Sequence, residues 1–138
     1  MRKNFSIRAF VEIAPAGAGA IELRNGYVPR SIATDPAGRT ATVKFRREHE
    51  RPGPVGSPEE VTLIFSGNVR FAFSDLVHAK GPLGEQSVII GYYDARCNWH
   101  EWLDEDAAAA QGFEGLQFGF SGGLVLRIGA DAVELTTG

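Results

Sequence analysis

Apolar residues recur at every second position along several segments of this sequence, and glycine, proline or asparagine separates one such segment from the next. Ala41, Val43 and Phe45 alternate with polar residues, and residues 116–120 repeat the pattern near the C-terminus. A two-residue period places the apolar side chains on one face of an extended strand. The sequence therefore predicts a mainly β protein whose interior is formed by sheets.

Turn sequences between these segments predict two hairpins. Asn25-Gly26 favours a type I′ turn, because both residues tolerate the positive φ that this turn requires. Pro29 lies in the returning strand and has no amide donor, so we expect that strand to lie at a sheet edge or to be broken at Pro29. Gly67-Asn68 predicts a second hairpin between the alternating segments on either side of it.

The remaining alternating segments complete the expected sheet. Residues 87–93 are apolar on both faces, which is typical of a central strand. Residues 116–135 contain three alternating segments separated by glycine-containing turns, which predicts a C-terminal three-stranded meander. Residues 5–13 also alternate, but Phe10 interrupts the pattern, so strand and helix both remain open there. These hairpins and the meander indicate an antiparallel β-sandwich or a partly open β-barrel.

The sequence predicts a single helix, near residues 99–111. Asn98 is a suitable N-cap, since its side chain accepts a hydrogen bond from a free amide, and Gly112 ends the alanine-rich stretch. Trp99 and Trp102 are three positions apart, so they share one face of such a helix. We expect that aromatic face to pack on the sheet.

Length and composition favour one soluble β-rich domain over residues 1–138. The longest apolar runs are far shorter than the roughly 18 residues that cross a bilayer, so we expect no membrane association. The net charge of -3 has no clustered basic face, so we expect no nucleic-acid partner. The single cysteine, Cys97, suits a reducing compartment and predicts a cytoplasmic location. High alanine content and a preference for arginine over lysine are typical of a bacterial GC-rich genome.

Functional side-chain types are densest between residues 92 and 104. The candidate ligand-binding residues in this segment are Tyr92, Tyr93, Asp94, Trp99, His100 and Trp102. A metal site would use Asp94, His100 and Asp104, but a second histidine is missing, so we predict no metal and no cofactor. Cys97 beside His100 suggests a thiol nucleophile, but neighbours in a turn rarely reach the geometry of a catalytic pair. We therefore assign no catalytic residue.

The function expected from these features is a non-enzymatic one. In general character the chain resembles small bacterial β-proteins, some of which are immunity or adaptor proteins. We expect an interaction module that docks a protein partner, or a second copy of itself, through an exposed strand edge or an aromatic patch. The alternative is a small-molecule carrier in which a barrel-like sheet encloses a cavity. A hydrolase centred on residues 94–104 ranks third.

Overall fold

A computed structural model describes residues 1–49, 56–74 and 81–138, and strands account for most of its regular structure. The strands are β1 (Arg2–Lys3), β2 (Phe5–Arg8), β3 (Glu12–Pro15), β4 (Ile21–Glu22), β5 (Tyr27–Thr34), β6 (Thr40–Arg47), β7 (Glu60–Ser66), β8 (Arg70–Phe73), β9 (Val88–Tyr93), β10 (Gly115–Phe120), β11 (Val125–Gly129) and β12 (Ala132–Thr137). The helices are α1 (Leu23–Gly26), α2 (Glu105–Gln111) and a 3-10 turn (Leu83–Glu85). None of these helices is long and apolar enough to cross a membrane.

The described strands form three sheets. The first has five strands in the order β1-β12-β7-β6-β5, the second has four in the order β8-β11-β10-β9, and the third has three in the order β2-β3-β4. Only β1 and β12 pair in parallel among the described strands, and the other pairs are antiparallel. The mainly antiparallel β fold predicted from the sequence is confirmed.

The five-stranded and four-stranded sheets pack face to face as a sandwich. Phe118 of β10 lies between them, with its ring centroid 6.3 Å from that of Phe45 and 6.4 Å from that of Phe65. All three side chains are fully buried. Burying an aromatic side chain of this kind contributes about 1.5–3 kcal/mol each. Of the two architectures predicted, the sandwich is the one observed, because the described strands form no closed barrel.

The predicted helix near residues 99–111 forms only at its C-terminal end. α2 begins at Glu105, and Asp104 rather than Asn98 is its N-cap. The Asn98 side chain instead accepts a hydrogen bond from the His100 amide at 2.8 Å, which closes a local turn. Asparagine side chains commonly bond to nearby backbone groups in this way, which offers the chain a turn in place of a helix.

Leu103 explains why the helix starts no earlier. Its amide donates to the Tyr92 carbonyl and its carbonyl accepts from the Tyr92 amide, both at 3.0 Å. These two bonds hold Leu103 in an isolated β-bridge against β9. A residue in such a bridge is extended, so the two tryptophans that precede it are not on a helix.

The predicted hairpin turn at Asn25-Gly26 is also wrong, because these residues end the short helix α1. Neither has a positive φ. Leu23 is fully buried, and its amide donates to the Val11 carbonyl at 2.8 Å. Burial of Leu23 fixes a helical turn where the local sequence favours a type I′ turn. The strand that follows, β5, lies at the edge of the five-stranded sheet, as Pro29 predicts.

Gly67-Asn68 makes a turn, but the segments on either side of it do not pair as the predicted hairpin. β7 pairs with β6 and β12 in one sheet, whereas β8 pairs with β11 in the other. Gly67 and Asn68 both have positive φ, 77° and 49°. The chain therefore passes from one sheet to the other at these two residues. The Asp131 carboxylate stabilises this connection by accepting a hydrogen bond from the Asn68 side chain at 3.0 Å.

The C-terminal antiparallel meander is present and consists of β9, β10 and β11. The three strands predicted within residues 116–135 all form, but the last, β12, pairs with β7 in the five-stranded sheet. Residues 87–93 were expected to form a central strand, and β9 instead ends its sheet. Its outer face is nevertheless covered, because Trp102 and Phe10 pack closely over Gly91.

Residues 5–13 form two strands, β2 and β3, and no helix. The turn between them carries two non-glycine residues in the left-handed region, Ala9 at φ 51° and Phe10 at φ 60°. The Val11 amide closes it by donating to the Arg8 carbonyl at 3.1 Å. Phe10 therefore breaks the two-residue alternation because it occupies the turn.

Candidate functional site

Residues 94–104, called the strap below, connect β9 to α2 and lie on the outer face of the four-stranded sheet. That face is the one turned away from the sandwich core. The register of β9, β10 and β11 places Gly91, Gln117 and Arg127 side by side on it. Strap residues then contact this row from above, as the bonds of Arg127 show.

Arg127 makes three hydrogen bonds, two of which fasten the strap to the sheet. Its guanidinium donates to the Gln117 side-chain oxygen at 2.6 Å, to the Asn98 carbonyl at 2.7 Å and to the Cys97 carbonyl at 3.2 Å. Arg127 is only 7% exposed. A charged donor in so buried a place requires full hydrogen bonding to offset its lost hydration.

Two aromatic rings complete the environment of Arg127. Its guanidinium carbon lies 4.3 Å from the centre of the Trp99 ring and 4.9 Å from that of Tyr93. The negative face of an aromatic ring attracts a cation, most strongly where water is excluded. No carboxylate forms an ion pair with Arg127 within the described ranges, so the rings and carbonyls stabilise its charge.

Trp102 lies across the same face in a space that two glycines leave open. A Cβ atom placed on Gly91 or on Gly119 would come within 3.0 Å of the Trp102 ring. The Phe10 ring meets Trp102 edge to face, with centroids 6.5 Å apart and planes at 72°. The Phe10 carbonyl also accepts a hydrogen bond from the Ile90 amide at 2.8 Å. The turn of positive φ at Phe10 thus covers the outer edge of β9.

Tyr92 faces the opposite side of the sheet from Tyr93. Its hydroxyl donates to Glu105 at 2.5 Å, and the same carboxylate accepts from the Ile7 amide at 2.9 Å and pairs with Lys3 at 2.5 Å. Burial, followed by the hydrogen bond to Glu105, raises the pKa of the Tyr92 hydroxyl far above its ordinary value. This network joins the N-terminal strands to α2.

Asp94 sits at the start of the strap and is bonded locally. Its carboxylate accepts from the Arg96 amide at 2.7 Å, from the Arg96 guanidinium at 3.1 Å and from the Gln111 side chain at 2.7 Å. The Arg96 hydrogen bonds lower the pKa of Asp94 to about 2. Burial raises the pKa of the nearby Cys97 thiol, which disfavours the thiolate that a nucleophile requires.

The six candidate ligand-binding residues therefore do not line one common surface. Tyr93 and Trp99 come together on Arg127, Trp102 lies beside them, and Tyr92 faces the core. His100 is exposed, and its amide bonds to Asn98. A ligand-binding role for the six remains a prediction, and no group of three or more possible metal ligands occurs among the described residues.

Sequence reasoning missed Arg127 and Gln117, the residues that organise this face. Both occupy the polar positions of strands in which every other position is apolar. A usable signal was present nonetheless. Gly91, Gly119 and Gly129 occupy positions of the same outer face, and small residues repeated on one sheet face indicate a segment packed closely over it.

The outer edge of β8 is a second candidate surface. β8 ends the four-stranded sheet, and within the described part of the chain it pairs only with β11. Phe73 is 45% exposed and is the one large hydrophobic side chain of the described residues that is exposed to this degree. Its ring stacks on Phe71 with centroids 6.5 Å apart and planes at 7°. An exposed edge with an apolar side is a template for pairing with another strand.

Hydrogen bonding to β11 shows which backbone groups of β8 face outward. The Ser74 amide donates to the Val125 carbonyl at 2.9 Å, so residue 74 faces β11. Successive residues of an antiparallel strand direct their amide and carbonyl to opposite sides. Ala72 therefore faces β11 as well, whereas the backbone groups of Phe71 and Phe73 face outward.

An open cleft of about 400 Å³ lies beside β2 and the turn after β3. Its lining residues are Lys3, Asn4, Phe5, Ser6, Arg8, Ala14, Pro15, Ala16, Gly17 and Ala18. This volume is within the range of small-molecule sites, but the lining contains a single aromatic ring.

Comparison with protein-family models, with curated proteins and with solved structures found no match to this chain. What the protein does must therefore be inferred from its own residues.

Proposed function

We propose that the protein is a non-enzymatic interaction module that binds an extended segment of a partner polypeptide by strand addition at β8. The observation that carries this proposal is that β8 ends its sheet and that its last residue, Phe73, is exposed. In strand addition, backbone hydrogen bonds supply affinity, and alternate side chains supply specificity. A contact of this kind would suit an immunity or adaptor protein.

The geometry of β8 defines the kind of segment that fits. The amide and carbonyl of Phe71 and of Phe73 offer four backbone hydrogen bonds to an added strand. Apolar residues at alternate positions of that strand would pack beside the two phenylalanine rings on the core-facing side. Each pair of side chains that lie directly opposite each other on this face contributes about 0.2–1 kcal/mol beyond the backbone bonds.

The chemistry of the strap favours an interaction role over a hydrolase. Asp94 is held by Arg96 and Gln111, and Glu105 is held by Tyr92 and Lys3. A general acid or base needs a pKa near the working pH, whereas the pKa of Asp94 is about 2. Asp94 thus stabilises the start of the strap and Glu105 joins α2 to the N-terminal strands, which supports a structural role for each.

Selection from a displayed library of random twelve-residue peptides tests the proposal. We expect selected peptides to alternate apolar and polar residues and to bind in extended form. Phe73→Asp places a charge on the edge and should weaken binding about tenfold or more, because the carboxylate loses water on contact with apolar groups. Ala33→Asp, on the exposed edge strand β5, is the matched control and should bind as the parent does.

Each result decides between interaction at β8 and interaction elsewhere. Peptides that bind the Phe73→Asp protein as tightly as the parent would refute strand addition at β8. Loss of binding in the Ala33→Asp protein alone would move the surface to the five-stranded sheet. Circular dichroism of both variants must match the parent, which confirms that each substitution leaves the fold intact.

A small-molecule carrier is the second candidate, and the open cleft beside β2 is the observation that favours it. Amide chemical shifts of Ser6 and Ala16, which line the cleft, report on binding there. A panel of lipids, sugars and aromatic metabolites should include at least one that shifts both signals. A panel that shifts neither would remove this candidate.

A further inference from the structure

We infer that the strand added at β8 is the β8 of a second copy of this chain. This inference rests on the proposed function, since it names the partner for the same edge. It follows from how the backbone and side chains of Arg70–Phe73 fit an identical strand running in the opposite direction.

The outward backbone groups allow one symmetric register centred on Ala72. In that register Phe71 lies opposite the partner's Phe73, and Phe73 lies opposite the partner's Phe71. Because both residues direct their amide and carbonyl outward, each of these two pairs forms two hydrogen bonds. At the two-fold axis Ala72 lies opposite the partner's Ala72, and the two residues share no backbone hydrogen bond. This arrangement fits, because the amide and carbonyl of Ala72 face β11. A two-fold contact of this kind is self-complementary.

The side chains fit the same register. The phenylalanine rings already stacked in one copy at 6.5 Å would continue as four rings on the core-facing side of an eight-stranded sheet. Ala72, the residue at the axis, is exposed and small, so it allows the strands to approach.

Charge does not oppose the register. Arg70 would lie opposite the partner's Ser74, and the two Arg70 residues would be four positions apart along the paired strands. That separation is about 14 Å at the rise of an extended strand, which exceeds the screening length of about 8 Å at physiological ionic strength.

The contact is short, and this sets the expected strength. A four-residue strand pair buries less than the roughly 1,600 Å² of a standard interface. We therefore expect a reversible dimer whose population rises with protein concentration.

A single cysteine at the axis tests the register directly. Ala72→Cys would place two thiols on residues whose Cα atoms are about 4.5 Å apart, within reach of a disulfide. Mild oxidation should convert most of this variant to a covalent dimer. The native Cys97 is 7% exposed and cannot readily compete. Ala33→Cys, on the edge of the other sheet, is the matched control and should form no covalent dimer.

Sedimentation of the unmodified chain and of Phe73→Asp provides the second measurement. We expect the parent to shift from monomer to dimer with concentration, and Phe73→Asp to raise the dissociation constant about tenfold or more, because its carboxylate would be desolvated in the dimer. A parent that stays monomeric, while selected peptides still bind at β8, would refute self-pairing and leave strand addition standing. Dimers that cross-link through residue 33, or that survive Phe73→Asp unchanged, would overturn the inference.

Discussion

Replacing Arg127 with methionine should lower the free energy of unfolding by about 3–5 kcal/mol, because neutral acceptors around its guanidinium lose their donor at a cost of about 1–3 kcal/mol for each one left buried. Methionine keeps the aliphatic length of arginine, so little packing volume changes. The substitution removes three hydrogen bonds from a charged donor, each worth about 1.5–3 kcal/mol. It also removes the cation from two aromatic rings, at about 0.5–2 kcal/mol each. The gain in apolar packing offsets part of this sum.

The carbonyls that Arg127 leaves behind account for much of the expected loss. Gln117 is fully buried, and its side-chain oxygen would lose the 2.6 Å bond that satisfies it. The carbonyl of Asn98 would lose its 2.7 Å bond, which releases the middle of the strap. A buried acceptor without a partner costs about 1–3 kcal/mol.

Urea denaturation, monitored by tryptophan fluorescence, measures the loss of unfolding free energy. Trp99 and Trp102 both lie in the strap, so their fluorescence reports on it. The melting temperature should fall by about 10 °C or more for a chain of 138 residues. Arg24→Met is the control, since Arg24 is exposed on α1 and should change stability by less than about 0.5 kcal/mol. A loss at Arg127 no larger than the loss at Arg24 would show that Arg127 does not hold the strap.

Three further substitutions test separate features of the fold. Gly119→Val brings a side chain into contact with Trp102 and should lower the free energy of unfolding by about 1–3 kcal/mol, as measured by urea denaturation. The near-ultraviolet circular dichroism spectrum should also change, and an unchanged spectrum would show that Trp102 does not need this space. Ala9→Gly relieves a positive φ and should raise stability by about 0.5–1 kcal/mol, and a loss of stability would show that the turn is not strained. Asp94 has a folded pKa of about 2, below its ordinary 3.8, so its stabilising contribution is present above pH 3.8 and disappears as the pH falls to about 2. Melting temperatures of Asp94→Asn and the parent should therefore differ at neutral pH and converge near pH 2, and a gap that stays constant would contradict this.

The strands could be predicted from the sequence because each depends on a local pattern. Residues 41–45 and 116–120 bury their apolar positions as the alternation requires. Strand pairing could not be predicted, since a turn fixes only the direction of the chain. Gly67 and Asn68 have the positive φ that a hairpin turn requires, yet the strands on either side join different sheets, and Asp131 stabilises this connection.

A ligand-binding role for residues 92–104 stays a prediction, and the sequence did not single out β8, where we propose the binding surface. The segment between 92 and 104 does concentrate contacts, but its helical spacing was misleading because Leu103 pairs with β9. Arg127 is remote in sequence from the strap that it binds. Its role depends on the register of three strands, which the pattern of apolar residues does not specify.

Amide hydrogen exchange along β8 is the most direct measurement of whether its outer edge is the binding surface. In dilute solution the amides of Phe71 and Phe73 should exchange rapidly, while the amide of Ala72, bonded to β11, should exchange slowly. At high concentration, or with a bound peptide, the two phenylalanine amides should become protected and Ala72 should change little. Protection of all three amides in the dilute monomer would mean that the edge is already covered, and strand addition at β8 would be refuted.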